Sequence, residues 1–446
     1  MMFKIYSPQV AQQTILKRQS PDENIVPDAI LERIEKLFGE RISPETAVSR
    51  ILHEVRSLGD IALKKWTEKL DLTHLNSFNV PEEDIENAIS DLPKEQIAAL
   101  EESVRRVEAF HRHQPLISWM TNDLGGTLGQ YIRPIRRVGL YVPGGTAPLP
   151  SSVIMSAIPA KVAGVQDVVV VTPPNPEYYH QTGKHVPEII LAACALSGVK
   201  EVYTVGGAQA IGAMAFGTES IRSVDKIFGP GNLFVTLAKR QVFGTVGIDG
   251  LFGPTETMVI ADDSAKPAWV AADLLAQAEH DVLASAILLT PSQALAESVQ
   301  KEISFQTESL PRKNIIGISL ENRSGAVIVN NLEEAIDLSN DYGPEHLCLV
   351  VSDPWSLVNK IYNAGGIFLG EHSFEVLGDY IAGPSHVMPT GGTARFSSPL
   401  NVWDFVHIIN LIALDTQTGS RISAHAAQFA RAESLEAHAR SADKRL

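Results

Sequence analysis

Apolar residues recur at intervals of three and four through ILERIEKLF, AVSRILHEVRS and AALEESVRRVEAFHRH, between about residues 27 and 115. That spacing lines one face of a helix, and no strand-like run interrupts it. A helical segment over 27–140 is therefore expected after an N-terminal arm, 1–26, and it is expected to pack on the second of two α/β blocks downstream. The texture changes near Arg136. Short runs of Val, Ile and Leu (RRVGLYVPGG, DVVVVTPP, EVYTVGG, KIFGPG) alternate with helical stretches such as SSVIMSAIPAKVAG, EIILAACALSG, AIGAMAFG and NLFVTLAKRQVFG. Near-continuous apolar strands separated by helices predict a parallel sheet covered on both faces. ETMVIADD opens a second such block, followed by SAILLT, GAVIVN, HLCLVV and GGIFLG. The fold class expected is α/β, with two doubly wound Rossmann-like domains, 141–255 and 256–383, that meet near GPTET with a cleft between them. From 384 to 446 a loop rich in Gly, Pro and Ser leads into a helical tail, SAHAAQFARAESLEAHARSA. The tail is polar enough to need a partner surface, on its own core or on another subunit.

Charge and cysteine content narrow the function. A formal net charge of -15 speaks against nucleic acid, which calls for a basic patch to meet phosphates. It leaves room for a local anion site, so a dinucleotide is not excluded. No run approaches the roughly 20 apolar residues that cross a bilayer, and MMFKIYSPQV has no apolar stretch of signal-peptide kind. A cytoplasmic protein without membrane contact is expected. Cys194 and Cys348 make no disulfide framework. Their apolar settings, LAACALSG and HLCLVV, suit small core residues.

Four places concentrate groups able to do chemistry. In VAADLLAQAEH, Gln277 and His280 are three apart and share a helix face; imidazole and a side-chain amide oxygen can both ligate zinc, or they are simply a polar face. In NDYGPEHLCLVV, a Gly-Pro turn sets Glu345 and His346 where a loop enters a buried strand. A carboxylate there can activate water and an imidazole can take an alcohol proton. GEHSFEVLGDYIAGPSH gathers His372, Glu375, Asp379 and His386 at a loop edge, either as metal carboxylate and neighbours or as an ordinary Asp turn. In the tail, Glu433 and His438 lie five apart, about 140° around a helix, and so share no face. The dinucleotide fingerprint G-x-G-x-x-G is absent. VGGAQAIG and GPGN nevertheless place glycines between a strand and a helix, where backbone N–H groups can meet phosphate.

Taken in order, LYVPGG, GGAQAIGAMAFG, IFGPGN, VAADLLAQAEH, GPEHL, FLGE-x-S-x-E-x-x-GDY and AESLEAH resemble the histidinol dehydrogenase family over nearly the whole chain. None is specific alone; their order and separations are. The resemblance implies an enzyme that oxidises L-histidinol through the aldehyde to L-histidine, the last steps of histidine biosynthesis, reducing two NAD+. It implies Gln277, His280, Asp379 and His438 as ligands of one Zn2+ per subunit, with His438 and Glu433 supplied by the other subunit of a homodimer. Tyr141, Gln209 and Asn232 would contact NAD. Thr255, His346 and Glu433 would meet the substrate together with the zinc ligands. His346 would serve as base in both hydride steps and Glu345 would activate water. Thr255 stands where the family usually has Ser, Gly343 where it usually has Ala, and GDYIAGPSH replaces GDYASGTNH; none of these removes a ligand or a base. The alternative is a homologous zinc and NAD dehydrogenase of another small polar alcohol, such as a sulfonated diol. A sulfonate should call for Arg or Lys at the substrate contacts, which here are Thr255, His346, Glu433 and His438.

Overall fold

Apolar runs without polar alternation become strands buried on both faces. The structure, a computed structural model, describes residues 3–18, 28–144 and 148–446. Among these residues the strands run in chain order as β1 (Lys4–Tyr6), β2 (Trp119–Thr121), β3 (Thr127–Pro134), β4 (Arg137–Tyr141), β5 (Asp167–Thr172), β6 (Glu201–Thr204), β7 (Lys226–Phe228), β8 (Gly247–Ile248), β9 (Glu256–Ala261), β10 (Ser285–Thr290), β11 (Gly325–Ile328), β12 (His346–Val350), β13 (Gly366–Leu369) and β14 (Val406–Ala413). One sheet has the order β6-β5-β4-β7-β8 and another contains β11-β10-β9-β12-β13. Every neighbouring pair in them is parallel. Each block thus repeats the order third-second-first-fourth-fifth of a doubly wound α/β fold. Strand order reverses between β4 and β7 in one and between β9 and β12 in the other. All residues of β4, β9, β10 and β12 are buried.

The helical lead-in differs from expectation. Helices Pro44–Leu58 and Asp60–Leu70 lie on the first sheet, not the second. Val48, Ile51, Leu52, Val55, Leu63 and Trp66 share a core with Val169, Val171, Ile211 and Met214. Helix Lys94–His111 covers the opposite face of the same sheet, Leu100 and Val107 packing with Val168, Val170 and Leu191. The small residues of the block's own helices explain the choice. A Cβ at Gly212, in helix Gly207–Phe216, would meet Leu52 at 3.1 Å and Val55 at 3.3 Å, so the lead-in helices seat where no side chain intervenes. Helix Lys94–His111 still reaches the second block at one loop. Ser103 Oγ donates to the Tyr380 carbonyl at 2.6 Å, and Arg106 donates to the carbonyls of Ile381 and Ala382.

Strands also appear where none was expected. β3 pairs antiparallel with β2 and, along its whole length, with β14. This third sheet joins the end of the lead-in to the segment expected as loop and helical tail. VHIINLIA of β14 is an apolar run, yet most of its residues are exposed, so neither alternation nor burial marks it. The N-terminal arm contributes β1, which adds parallel to β11 at the edge of the second sheet, Lys4 opposite Gly325. Residues 1–2 and 19–26 of the arm, residue 27, and Gly145 of LYVPGG lie outside the described residues. No helix among the described residues is long and apolar enough to cross a membrane. Both cysteines are buried and unpaired.

Candidate active site

In a doubly wound sheet ligands usually gather at the carboxyl ends of the strands. In the second sheet the ionisable groups gather at the amino ends. His346 opens β12 opposite Thr257 of β9, with Glu345 just before it; both side chains are buried. Gly343 makes the entry possible by closing helix Leu332–Tyr342 at φ 59°, a conformation that costs a side-chain-bearing residue more than glycine. Glu345 Oε2 accepts from Thr255 Oγ1 at 2.5 Å and from the Glu256 N–H at 3.0 Å. Burial nevertheless dominates and pushes the carboxyl up to about 7, with His346 and the two donors only partly opposing it. His346 Nδ1 lies 3.3 Å from the Glu256 carbonyl oxygen, 3.7 Å from Glu375 and 3.8 Å from Glu345. A carbonyl only accepts, so Nδ1 is the donor to it and Nε2 is the ring nitrogen left to meet a ligand. Nε2 is buried without a hydrogen-bond partner, 3.9 Å from Asp379 Oδ1.

Helix Pro267–Ala278 follows β9 and runs back towards the same rim, carrying Gln277 at its end and His280 just beyond. Gln277 sits on the helix's buried stripe with Val270 and Leu274, and both its amide oxygen and its nitrogen are buried and unpartnered among the described residues. Such orphaned groups cost roughly 1–3 kcal/mol each, so the amide is poised for a group from outside the chain. Helix Glu375–Tyr380 packs against this helix and places Glu375 and Asp379 four residues apart on one face. His386 Nδ1 donates to the Asp379 carbonyl at 2.8 Å, and burial holds the imidazole below its ordinary pKa, with the Asp379 charge opposing. Among the described residues no three His, Cys, Asp or Glu side chains converge as a metal site. An amide oxygen, an imidazole and one carboxylate, from Gln277, His280 and Asp379, suit zinc as donor types and leave a further ligand wanting. Glu433 and His438 do not join them: both are exposed, at the hairpin of helices Thr416–Ala432 and Glu436–Asp443, and neither bonds to the cluster.

Sequence reasoning singled out Glu375 but missed Thr257 and Asp273 beside it. Thr257 Oγ1 donates to Glu375, whose carboxyl is driven far above its ordinary range by burial and then by the Asp379 charge. Asp273, one turn before Gln277, is pushed up to about 7 by burial. The available signal for Asp273 was spacing: it precedes a candidate ligand, Gln277, by four residues.

The cofactor candidates occupy the first sheet, at its carboxyl ends. Tyr141 closes β4, and its hydroxyl accepts the Gly207 N–H at 3.2 Å. Across the point where strand order reverses, Gly229 has φ 109°, and a Cβ there would lie 2.1 Å from the Tyr141 carbonyl; only glycine allows that approach. The GPGN loop is held from below, because Lys239 Nζ donates to the Gly229 carbonyl at 2.9 Å and Asp249 accepts from the Gly229 N–H at 2.7 Å. Asn232 caps helix Leu233–Val242 through Oδ1. Gln209 is fully buried, donates from Nε2 to Asp71 at 3.3 Å and keeps Oε1 unpartnered. Asp71 had no signal in the sequence, since it follows a lead-in helix far from Gln209. Burial raises its carboxyl to about 7, with Arg33 opposing. The folded chain therefore holds a proton there that the unfolded chain releases, so stability falls as pH rises from about 4 to 7. Asp71→Asn keeps an acceptor for Gln209 and should flatten that fall by on the order of 2–4 kcal/mol, measured as Tm against pH by calorimetry.

The sequence profile described as histidinol dehydrogenase matches residues 39–446. The chain belongs to the histidinol dehydrogenase family. It is thereby an oxidoreductase, with the α/β fold of that family. Histidinol dehydrogenase of Deinococcus radiodurans is 52% identical over 423 residues, covering 94% of this chain and 95% of the relative. That of Moorella thermoacetica is 50% identical over 402 residues, covering 89% and 93%. The crystal structure of histidinol dehydrogenase from Elizabethkingia anophelis superposes with a TM-score of 0.89 at 34% identity, over 100% of this chain and 98% of the other.

Proposed function

We propose that the chain is a zinc-dependent enzyme of histidine biosynthesis that oxidises L-histidinol through L-histidinaldehyde to L-histidine, passing two hydrides to two NAD+. The observation that carries this is the buried pair at the head of β12: an imidazole oriented through Nδ1, with Nε2 unpartnered among the described residues, beside a carboxyl raised to about 7. Gln277, His280, Asp379 and His438 of the partner subunit would hold the zinc, which supplies a fixed Lewis-acidic anchor for the substrate's imidazole and amine. Tyr141, Gln209 and Asn232 would hold NAD+, the hydride acceptor. Thr255 and Glu433 of the partner subunit would meet the substrate, the carboxylate suiting its cationic amine. His346 Nε2 takes the hydroxyl proton as the alcohol is oxidised. His346 releases that proton to solvent, Glu345 takes a proton from the water that adds to the aldehyde carbon, and His346 then takes the proton of the hydrate hydroxyl.

Homodimer formation is supported by Ile408, Ile409 and Ile412 of β14 and by Phe429 and Leu435 of the tail, all exposed in the single chain. Two buried free thiols suit a cytoplasmic setting. The test is the yield of NADH from L-histidinol. Zinc-loaded protein should release two NADH per histidinol, and chelation should abolish it. Turnover of a sulfonated or plain diol with none of histidinol would reject the assignment.

A further inference from the structure

We infer that Arg18, the last described residue before position 19, is a positioning residue for the Glu345–His346 pair; this rests on the acid/base roles proposed above. The guanidinium forks onto both carboxylate oxygens of Glu256, with Nη2 at 2.8 Å from Oε2. It also donates to the Tyr342 carbonyl from Nε at 2.9 Å and Nη2 at 2.7 Å, and to the Gly343 carbonyl at 3.2 Å. Its plane lies 3.5 Å over the Tyr342 ring. Glu256 is buried, and its own backbone grips both members of the pair, its N–H donating to Glu345 and its carbonyl accepting from His346 Nδ1. Tyr342 and Gly343 close the helix that leads into Glu345. One side chain from the arm therefore ties the head of β9 to the turn before β12, across the point where strand order reverses. It fixes the two strand heads whose spacing sets the distance between the carboxylate, the imidazole and the Glu256 peptide. Lysine cannot reproduce the fork and the stacking together.

The arm is thereby part of the active site without touching substrate. Arg18→Met and Arg18→Lys should lower kcat by about tenfold to a hundredfold, the scale of a small misplacement of reacting groups. KM for NAD+ and bound zinc per chain should stay within about twofold of wild type, because neither the first sheet nor the ligand set is altered. The double variant Arg18→Met with Glu256→Met removes both charges. It should recover the wild-type Tm yet keep the low kcat, since an apolar pair can replace a buried ion pair in stability but not in register. If kcat returns with Tm, or if Arg18→Lys turns over like wild type, Arg18 only neutralises a buried carboxylate and the inference fails. Glu345→Gln and His346→Ala are measured alongside. Full activity in those would reject the acid/base roles themselves, whereas their loss with normal Arg18 variants rejects the positioning role alone.

Discussion

Glu345→Gln is expected to slow conversion of the aldehyde by about 10²–10⁴-fold, the usual contribution of a positioned general base, and to leave alcohol oxidation within about tenfold. The amide is isosteric, and its oxygen can still accept from Thr255 Oγ1 and the Glu256 N–H, as Oε2 does. The pocket should therefore keep its shape, and only the proton acceptor is lost. Single-turnover rates measured from histidinol and from the aldehyde separate the two steps. Equal loss in both would show that Glu345 does not act on water. The carboxyl is raised to about 7 by burial. Its ionised, proton-accepting form therefore grows as pH rises through about 7, and the aldehyde step of the wild type should climb over that range. In the Gln variant that climb should be missing.

A mixture of His346→Ala and His438→Ala subunits should recover activity that neither variant has alone. His438 is exposed in the single chain, with no bond to the zinc candidates, so the proposed site takes it from a partner. In a mixed dimer one site then loses both residues and the other keeps both. Random pairing makes half of the dimers mixed, so the mixture should reach about a quarter of wild-type turnover, as two-fold symmetry requires. If each tail served its own chain, no dimer would hold an intact site and the mixture would stay dead. The assay is NADH formation after co-refolding at equal amounts.

How much of this was legible depended on distance along the chain. β9, β10 and β12 could be read because unbroken apolar runs have few other destinations. β1 is three residues long and β14 is an apolar run left exposed, so pattern alone could not place either. The lead-in helices were recognised by period, but period says nothing about which sheet they cover; that was settled by shape, at Gly212 against Leu52 and Val55. Gln277 and His280 were an unremarkable helix pair until motif order joined them to Asp379. Only the fold shows why Gln277 stands out, with a buried amide that nothing among the described residues satisfies. Asp71 and Arg18 left no trace, because Gln209 and Glu256 lie 138 and 238 residues away from them.

The pairing of β1 with β11 has a consequence for biosynthesis. Lys4 waits for Gly325, and at about 5–20 residues per second that wait is on the order of 15–60 s. The first sheet and its covering helices are complete in sequence long before then and can close while the ribosome is still working. The first of the described strands is thus among the last to find its place. A bulky fusion ahead of the arm should burden that late pairing and leave the earlier sheet untouched. Hydrogen exchange on chains stalled on the ribosome would show it as protection of β1 and β11 that appears only once Gly325 has emerged.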